Sequence, residues 1–556
     1  MRQRAHRTVA FSACTLLLLM GLVGVAPVAS QRPATPTADI TATSPWWENA
    51  VCYEVFVRSF ADSDGDGIGD LRGLIERLDY INDGDPRGGD DLGATCVWLM
   101  PIFTATSYHG YDVEDYYAID PAYGSNEDFS QLITQAHERG IRVILDLVLN
   151  HTSREHPWFQ DALVNPDSPY RDWYIWADEH PGYNGPWGAP AWHQSPSADE
   201  FYYGIFWEGM PDLNYRNPVV TAEAEKISAF WLNEMGADGF RLDAIKHLIE
   251  DGRIQENTLE THDWLREYRA YLAQVKPDAL TIGEIFGASA STLETYYPDQ
   301  LDAYFAFDVG QGLLNAASFG AGQQLVAAVE AAEEELPDQR WAPFLTNHDQ
   351  ARTMSALDGN IEEAKMAATA LLTVPGLPFI YYGEEIGMSG TKPDERIRTP
   401  MQWATGEDGG FTSGTPWEPF QEDRDTVNVA SQSDDPASLL NHYRQLVRLH
   451  VTHPALSRGD FQPLATAGRS PAAFLRQAPE ETLFVLLNTG KDPIENLVIT
   501  AVATGLEPGD YTLTPLLGDE PAANLTVDVN GAIAAFTPLP TLDPRTGYIW
   551  LLTPAA

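Results

Sequence analysis

Cysteine is scarce in this 556-residue chain, which has only Cys14, Cys52 and Cys96. Three thiols exclude a disulfide-stapled scaffold. Beyond the N-terminal stretch a single bridge is possible, and two buried thiols on neighbouring strands are the expectation. Basic residues are also scarce: 34 Lys and Arg stand against 80 Asp and Glu, a formal net charge of −46. That sign repels nucleic acid, so no nucleic-acid partner is expected, and it suits a strongly solvated surface. After the first thirty residues no apolar run approaches the roughly 20 residues of a membrane helix, so no membrane partner is expected either.

What the first thirty residues do contain is a charged start (Arg2, Arg4, Arg7), an apolar stretch from Leu16 to Val25 and the small pair Ala29-Ser30. Residues 1–30 therefore read as a secretory signal, and an extracellular or periplasmic protein is expected. Cys14 precedes the apolar stretch, so lipid attachment is not. Residues 31–45, rich in Pro, Thr and Ala, read as a flexible leader.

A chain this long exceeds one compact core. From Trp46, short β-branched runs alternate with amphipathic helical patterns: 51–57, 95–102, 141–149, 239–244, 280–286, 301–307, 343–349 and 378–385 are strand candidates. The helix between the second and third of these runs has a capping box, Ser125 with Asp128, an apolar face of Phe129, Leu132, Ile133 and Ala136, and Gly140 at its end. The same rhythm recurs at 219–236. Eight such βα units predict an α/β fold, a (β/α)8 TIM barrel over residues 46–455, with its site at the carboxyl ends of the strands. Residues 150–218 are too long for a bare loop and predict a small inserted domain after the third strand. Their tryptophans, Trp158, Trp173, Trp176, Trp187, Trp192 and Trp207, are expected mostly in its core. Residues 456–556, short apolar runs between turn residues, predict an antiparallel β-sandwich.

Acids gather at the predicted strand ends. Arg241 and Asp243, two apart in GFRLDA, project to one side of a strand, where the guanidinium favours an ionised carboxylate. Glu284 in GEIF ends the next strand, and a Glu in a partly apolar pocket has the raised pKa of a general acid. Asp146, Asn150 and His151 end the third run, and His348 and Asp349 the seventh. Two carboxyl groups about 5–5.5 Å apart, flanking one bond, are what retaining glycoside hydrolysis requires.

The segment DSDGDGIGD places Asp62, Asp64, Asp66 and Asp70 around Ile68. Four carboxylates so close repel without a cation. The spacing follows positions 1, 3, 5, 7 and 9 of a calcium loop, with Gly67 at the turn and the Ile68 carbonyl as backbone ligand, although Gly73 stands where an EF-hand has Glu. Structural Ca2+ is the expected cofactor.

The ordered motifs DLVLNH (146–151), MPDLN (210–214), GFRLDAIKH (239–247), GEIF (283–286) and TNHD (346–349) resemble the conserved regions of the α-amylase family, glycoside hydrolase family 13. The resemblance runs from about Trp46 to the C-terminus and implies Asp243 as nucleophile, Glu284 as general acid/base and Asp349 as transition-state stabiliser. It implies sugar contacts from Arg241, His151, His348, His109, Tyr111 and Asp112, from Lys246 and His247 on the leaving side, and from Arg352 of NHDQAR. Relatives of the oligo-1,6-glucosidase branch have a similar calcium loop, and a second calcium site would involve Asn150 and the His247 carbonyl. RTPMQW (398–403), NHDQAR and the GYD of 110–112 resemble exo-acting α-glucosidases, in which that Asp closes the pocket. GFRLDAIKH and MPDLN resemble α-amylases and neopullulanases. Ala244, where oligo-1,6-glucosidases commonly have Val, leans toward α-1,4 bonds. The expectation is a monomeric, secreted α-amylase-like hydrolase of starch and maltooligosaccharides. Exo-acting α-glucosidase, oligo-1,6-glucosidase, neopullulanase-like and trehalose-synthase-like activities are its enzymatic rivals, and a sugar-binding scaffold without catalysis is the rival outside enzymes.

Overall fold

The fold is seen in a computed structural model that describes residues 45–85, 88–336, 339–518 and 520–555. The expected signal and all but the last residue of the leader lie outside the described residues.

Eight strands lie parallel in one sheet: β1 (Cys52–Val55), β2 (Cys96–Leu99), β3 (Arg142–Leu147), β4 (Gly239–Leu242), β5 (Leu280–Gly283), β6 (Ala303–Phe305), β7 (Trp341–Ala342) and β8 (Phe379–Tyr381). Neighbours in the sheet follow the order β7-β6-β5-β4-β3-β2-β1-β8. The ring closes where Phe344 bridges Phe379 and where Leu377 and Phe379 donate to the Trp341 and Pro343 carbonyls, each at 2.9 Å. This is the barrel expected from the eight βα units. Its lumen is filled by Trp98, Ile144, Ile282, Phe305, Phe344 and Phe379. Trp98, 1% exposed and 5.5 Å from the Phe305 ring, contributes roughly 1.5–3 kcal/mol by burial alone.

Local signals act as expected in the helix Asn126–Glu138. Ser125 accepts from the Asp128 backbone while the Asp128 carboxylate accepts from the Ser125 backbone, and the four expected apolar residues are buried. The helix Pro218–Ala229 is capped by Asn217 and runs on into a π-helical turn, Phe230–Glu234. Three details differ from the sequence expectation. The seventh strand covers only Trp341–Ala342, so His348 and Asp349 sit on the loop beyond it. An antiparallel ribbon, Phe103–Ala105 with Val113–Ile119, follows β2 and carries SYHGYD at its tip. Cys52 and Cys96 are neighbours in register on β1 and β2, and they are joined as a disulfide rather than left as thiols, because parallel pairing brings their Cα atoms to 4.3 Å.

Within 150–218, the helix Pro157–Val164 precedes a three-stranded antiparallel sheet of Trp176–Ala177, Phe201–Tyr203 and Trp192–Gln194, with Phe201–Tyr203 central. Ala191, Trp192, Tyr203 and Ile205 form a small core of its own. Trp173 is buried, but Trp187 and Trp207 are 54% and 49% exposed, against the core reading.

Past the helices Leu439–Thr452 and Pro454–Arg458, a six-stranded antiparallel sheet begins at Asp460 and faces a three-stranded one. Phe484, Leu486, Ile499, Phe536 and Trp550 fill the space between them, the expected β-sandwich. The buried Arg476 ties it to the barrel by donating to the Thr373 carbonyl at 2.8 Å. Among the described residues no helix is long and apolar enough to cross a membrane.

Candidate active site

Register builds the site. On β3 and β4 Asp146 lies opposite Arg241, and Gly283, the residue before Glu284, lies opposite Leu242. The carboxyl ends of three adjacent strands therefore deliver Asp146, Asp243 and Glu284 to one guanidinium. Arg241 Nη1 donates to Asp146 at 2.9 and 3.1 Å and to Asp243 Oδ1 at 2.6 Å, while Nη2 lies 3.1 Å from Glu284 Oε2. Ala244 turns the chain at once, with φ +48°, a left-handed conformation unusual for a residue with a Cβ, and its N–H reaches Glu284 Oε2 at 3.4 Å. Burial raises the Glu284 pKa above the usual carboxyl range, with Arg241 opposing and Asp243 and Asp349 adding to the rise.

Asp349 faces this pair from the loop after β7. It contacts His348 Nε2 at 3.3 Å and Arg398 Nη2 at 3.0 Å. Burial alone would raise its pKa, but the two cations outweigh it and hold the carboxyl well below the usual range. His348 is likewise pulled down by burial and pushed up more strongly by Asp349 and Glu54, to about 10. Tyr111, from the ribbon tip, places its hydroxyl 2.7 Å from His348 Nε2 and 3.1 Å from Asp146. His151 is 2% exposed, with Nε2 3.1 Å from the Tyr111 carbonyl, and burial lowers its pKa.

These groups open into a cavity of about 520 Å³. His109, Tyr111 and His151 line it with the three carboxylates, as do Lys246 and His247. Of the expected set, Arg241 and His348 are buried beneath the wall, holding the carboxylates that line it, and Asp112 and Arg352 do not line it. Asp112 is 2% exposed, its Oδ1 taken by the Ser107 backbone N–H (3.1 Å) and hydroxyl (2.6 Å). Arg352 does not reach the wall: the helix starting at Thr353 is docked on Glu384 at 2.6 Å and draws the arginine back, where it donates to the Tyr382 carbonyl at 2.6 Å. The arginine at the wall is Arg398, the first residue of RTPMQW. Phe286 and Met210, which also line the cavity, close GEIF and open MPDLN, so the motifs held them without singling them out. Trp187 and Phe206, stacked at 5.4 Å, come from the inserted domain, and only the exposure of Trp187 separates it from the core tryptophans.

In the acidic loop the carboxylates of Asp62, Asp64 and Asp70 lie within 4.8 Å of one another, a donor set of hard oxygens that fits calcium. Asp66 stays outside that cluster, its Oδ1 accepting the Ile68 N–H at 2.7 Å. Near the active site, Asn150 Oδ1 and Asp212 Oδ2 are buried without a hydrogen-bond partner.

A paired acid and carboxylate on one guanidinium, open to a cavity with aromatic walls at the mouth of a barrel, is the equipment of an enzyme that cleaves glycosidic bonds. The family model described as "Alpha amylase, catalytic domain" matches residues 54–459. The chain belongs to the α-amylase family, glycoside hydrolase family 13. It is 42% identical over 459 residues to alpha-amylase 3 of Dictyoglomus thermophilum, covering 81% of this chain and 86% of that protein. The oligo-1,6-glucosidase of Parageobacillus thermoglucosidasius is 32% identical over 529 residues, with 81% and 92% covered. A crystal structure of α-amylase from H. orenii superposes with a TM-score of 0.78 at 38% identity, over 91% of this chain and 99% of that one.

The electrostatics fix an expected pH dependence. As the expected proton donor Glu284 would work protonated, and its raised pKa keeps the proton to higher pH than an ordinary Glu does. Activity should therefore extend to higher pH than an ordinary Glu would allow and fall on the alkaline side as that proton is lost, while Asp349, held low, stays an anion through the acid range. A kcat/KM profile whose alkaline limb lies near the ordinary carboxyl value of about 4.3 would contradict this assignment.

Proposed function

We propose that this family member is a secreted, retaining hydrolase of α-1,4-glucosidic bonds in starch and maltooligosaccharides, acting within chains and holding structural calcium at Asp62, Asp64 and Asp70. Glu284 donates its proton to the glycosidic oxygen as Asp243 attacks the anomeric carbon, giving a covalent glycosyl-enzyme. Water, deprotonated by Glu284, then releases the sugar with its configuration retained. Asp349 stabilises the positive charge that develops on the ring.

The observation that carries internal cleavage is the extension of the cavity beyond the carboxylate pair. Trp187, Phe206, Phe286, Lys246 and His247 line it, while Asp112, the residue that would shut the far end, is bound to Ser107. His247 gives Nδ1 to the Gln255 carbonyl at 2.8 Å, and its buried Nε2 has no hydrogen-bond partner in the protein. Chain-length products from maltoheptaose, resolved by chromatography, test the reading. Early maltose, maltotriose and maltotetraose support it, and glucose alone from the start would move the enzyme to the α-glucosidases. If Trp187 stacks on a leaving-side glucose, Trp187→Ala should lower kcat/KM on maltoheptaose by about 2- to 10-fold, the worth of one stacked ring.

A further inference from the structure

Glu54 on β1 takes no part in the chemistry above, yet it is 1% exposed in the barrel, in register with Trp98 on β2 and Tyr381 on β8. A carboxyl group in such surroundings costs several kcal/mol unless it is paired. Its partner is His348: Oε1 lies 2.6 Å from Nδ1.

With Glu54 ionised, counting donors gives the state of that imidazole. Nδ1 faces a carboxylate and must donate. On the other side, Nε2 lies 2.7 Å from the Tyr111 hydroxyl and 3.3 Å from Asp349. Tyr111 has one proton, and it goes to Asp146 Oδ2 at 3.1 Å, an oxygen that also accepts from Arg241 at 3.1 Å. The tyrosine oxygen therefore accepts from Nε2, and both ring nitrogens donate. We propose that Glu54 is a positioning residue of the active site, clamping His348 as a doubly protonated imidazolium that presents Nε2–H to Tyr111 and Asp349 and so keeps Asp349 an anion facing the sugar. The proposal rests on the reading of Asp349 as the stabiliser. The charged and titratable groups facing His348 are Glu54, Asp349 and Tyr111, with Asp146, Glu284 and Arg241 close by and Arg398 donating to its carbonyl at 3.0 Å.

Glu54→Gln keeps the shape and removes the charge. In [15N]histidine-labelled protein, with the His348 signal assigned by its loss in His348→Gln, the wild-type ring should stay doubly protonated to about pH 9, and the Glu54→Gln ring should become neutral at least about one unit lower. On maltoheptaose, kcat should fall about 10- to 100-fold with KM changed less than about twofold, and the alkaline limb of the pH profile should move to lower pH. An unchanged His348 titration would overturn the proposal. So would a fall in kcat that tracks a loss of thermal stability while the pH profile stays in place, since that marks a purely structural role. If the wild-type enzyme fails to turn over maltoheptaose, the functional reading fails, and the nitrogen titration still decides the role of Glu54.

Discussion

Replacing Asp243 by Asn is expected to lower turnover of maltoheptaose by about 10⁴-fold or more, while the fold and the affinity for the sugar survive. The amide has almost the shape of the carboxylate but cannot attack the anomeric carbon, so the covalent step is lost outright. The structure explains why the damage should stay local. Arg241 keeps Asp146 at 2.9 and 3.1 Å and Glu284 at 3.1 Å, so the buried guanidinium retains two carboxyl partners after the third becomes neutral. A stranded buried charge would cost about 3–5 kcal/mol, and here none is stranded. Calorimetry with maltoheptaose should find binding within about tenfold of wild type, because His109, Tyr111, His151 and the aromatic wall are untouched. Residual turnover within about a hundredfold of wild type would remove Asp243 from the nucleophile's role.

The proposed catalytic residues are brought together as the sequence suggests because they sit in strand-end motifs, where a two-residue spacing such as Arg241–Asp243 dictates a shared face. The barrel is legible in its alternation of β-branched runs and capped helices. What escapes the sequence is what depends on pairing across the fold. Glu54 looks like any alternating strand residue until β1 is set against the loop that carries His348, 294 residues away. Arg352 and Arg398 are indistinguishable as cations near motifs, and only the docking of Thr353 on Glu384 sends one behind the wall. The disulfide depends on strand order, which places Cys52 directly beside Cys96. Trp187 reads as a core residue because periodicity fails in an irregular segment, where exposure is set by a single loop.

Removing calcium is expected to lower the melting temperature by about 2–3 °C, and Asp64→Asn should abolish that calcium-dependent part without preventing folding. The loop is already shaped in the protein. Asp62 accepts the Gly65, Gly67 and Asp64 N–H groups at 2.7, 2.8 and 3.0 Å and the Thr412 hydroxyl, while Asp70 accepts from Ser63 and caps the helix Leu71–Glu76 through Gly73. Gly65 and Gly67 hold φ of +85° and +95°, and a Cβ on Gly67 would fall 1.9 Å from the Thr415 carbonyl, so the loop is pinned against the segment after β8. With the backbone fixed, what remains unfavourable is charge. Carboxylates within 4.8 Å repel by about 1 kcal/mol per pair in water and by more at lower dielectric, and a divalent cation reverses the sign of that term. An ion at a hundred times its dissociation constant stabilises the native state by about 2.7 kcal/mol, which in a protein of this size is roughly 2–3 °C. Scanning calorimetry in EGTA, then with calcium restored, measures it. A melting temperature indifferent to both would leave the acidic loop as a hydrogen-bonded turn, held by the Thr412 segment and needing no ion.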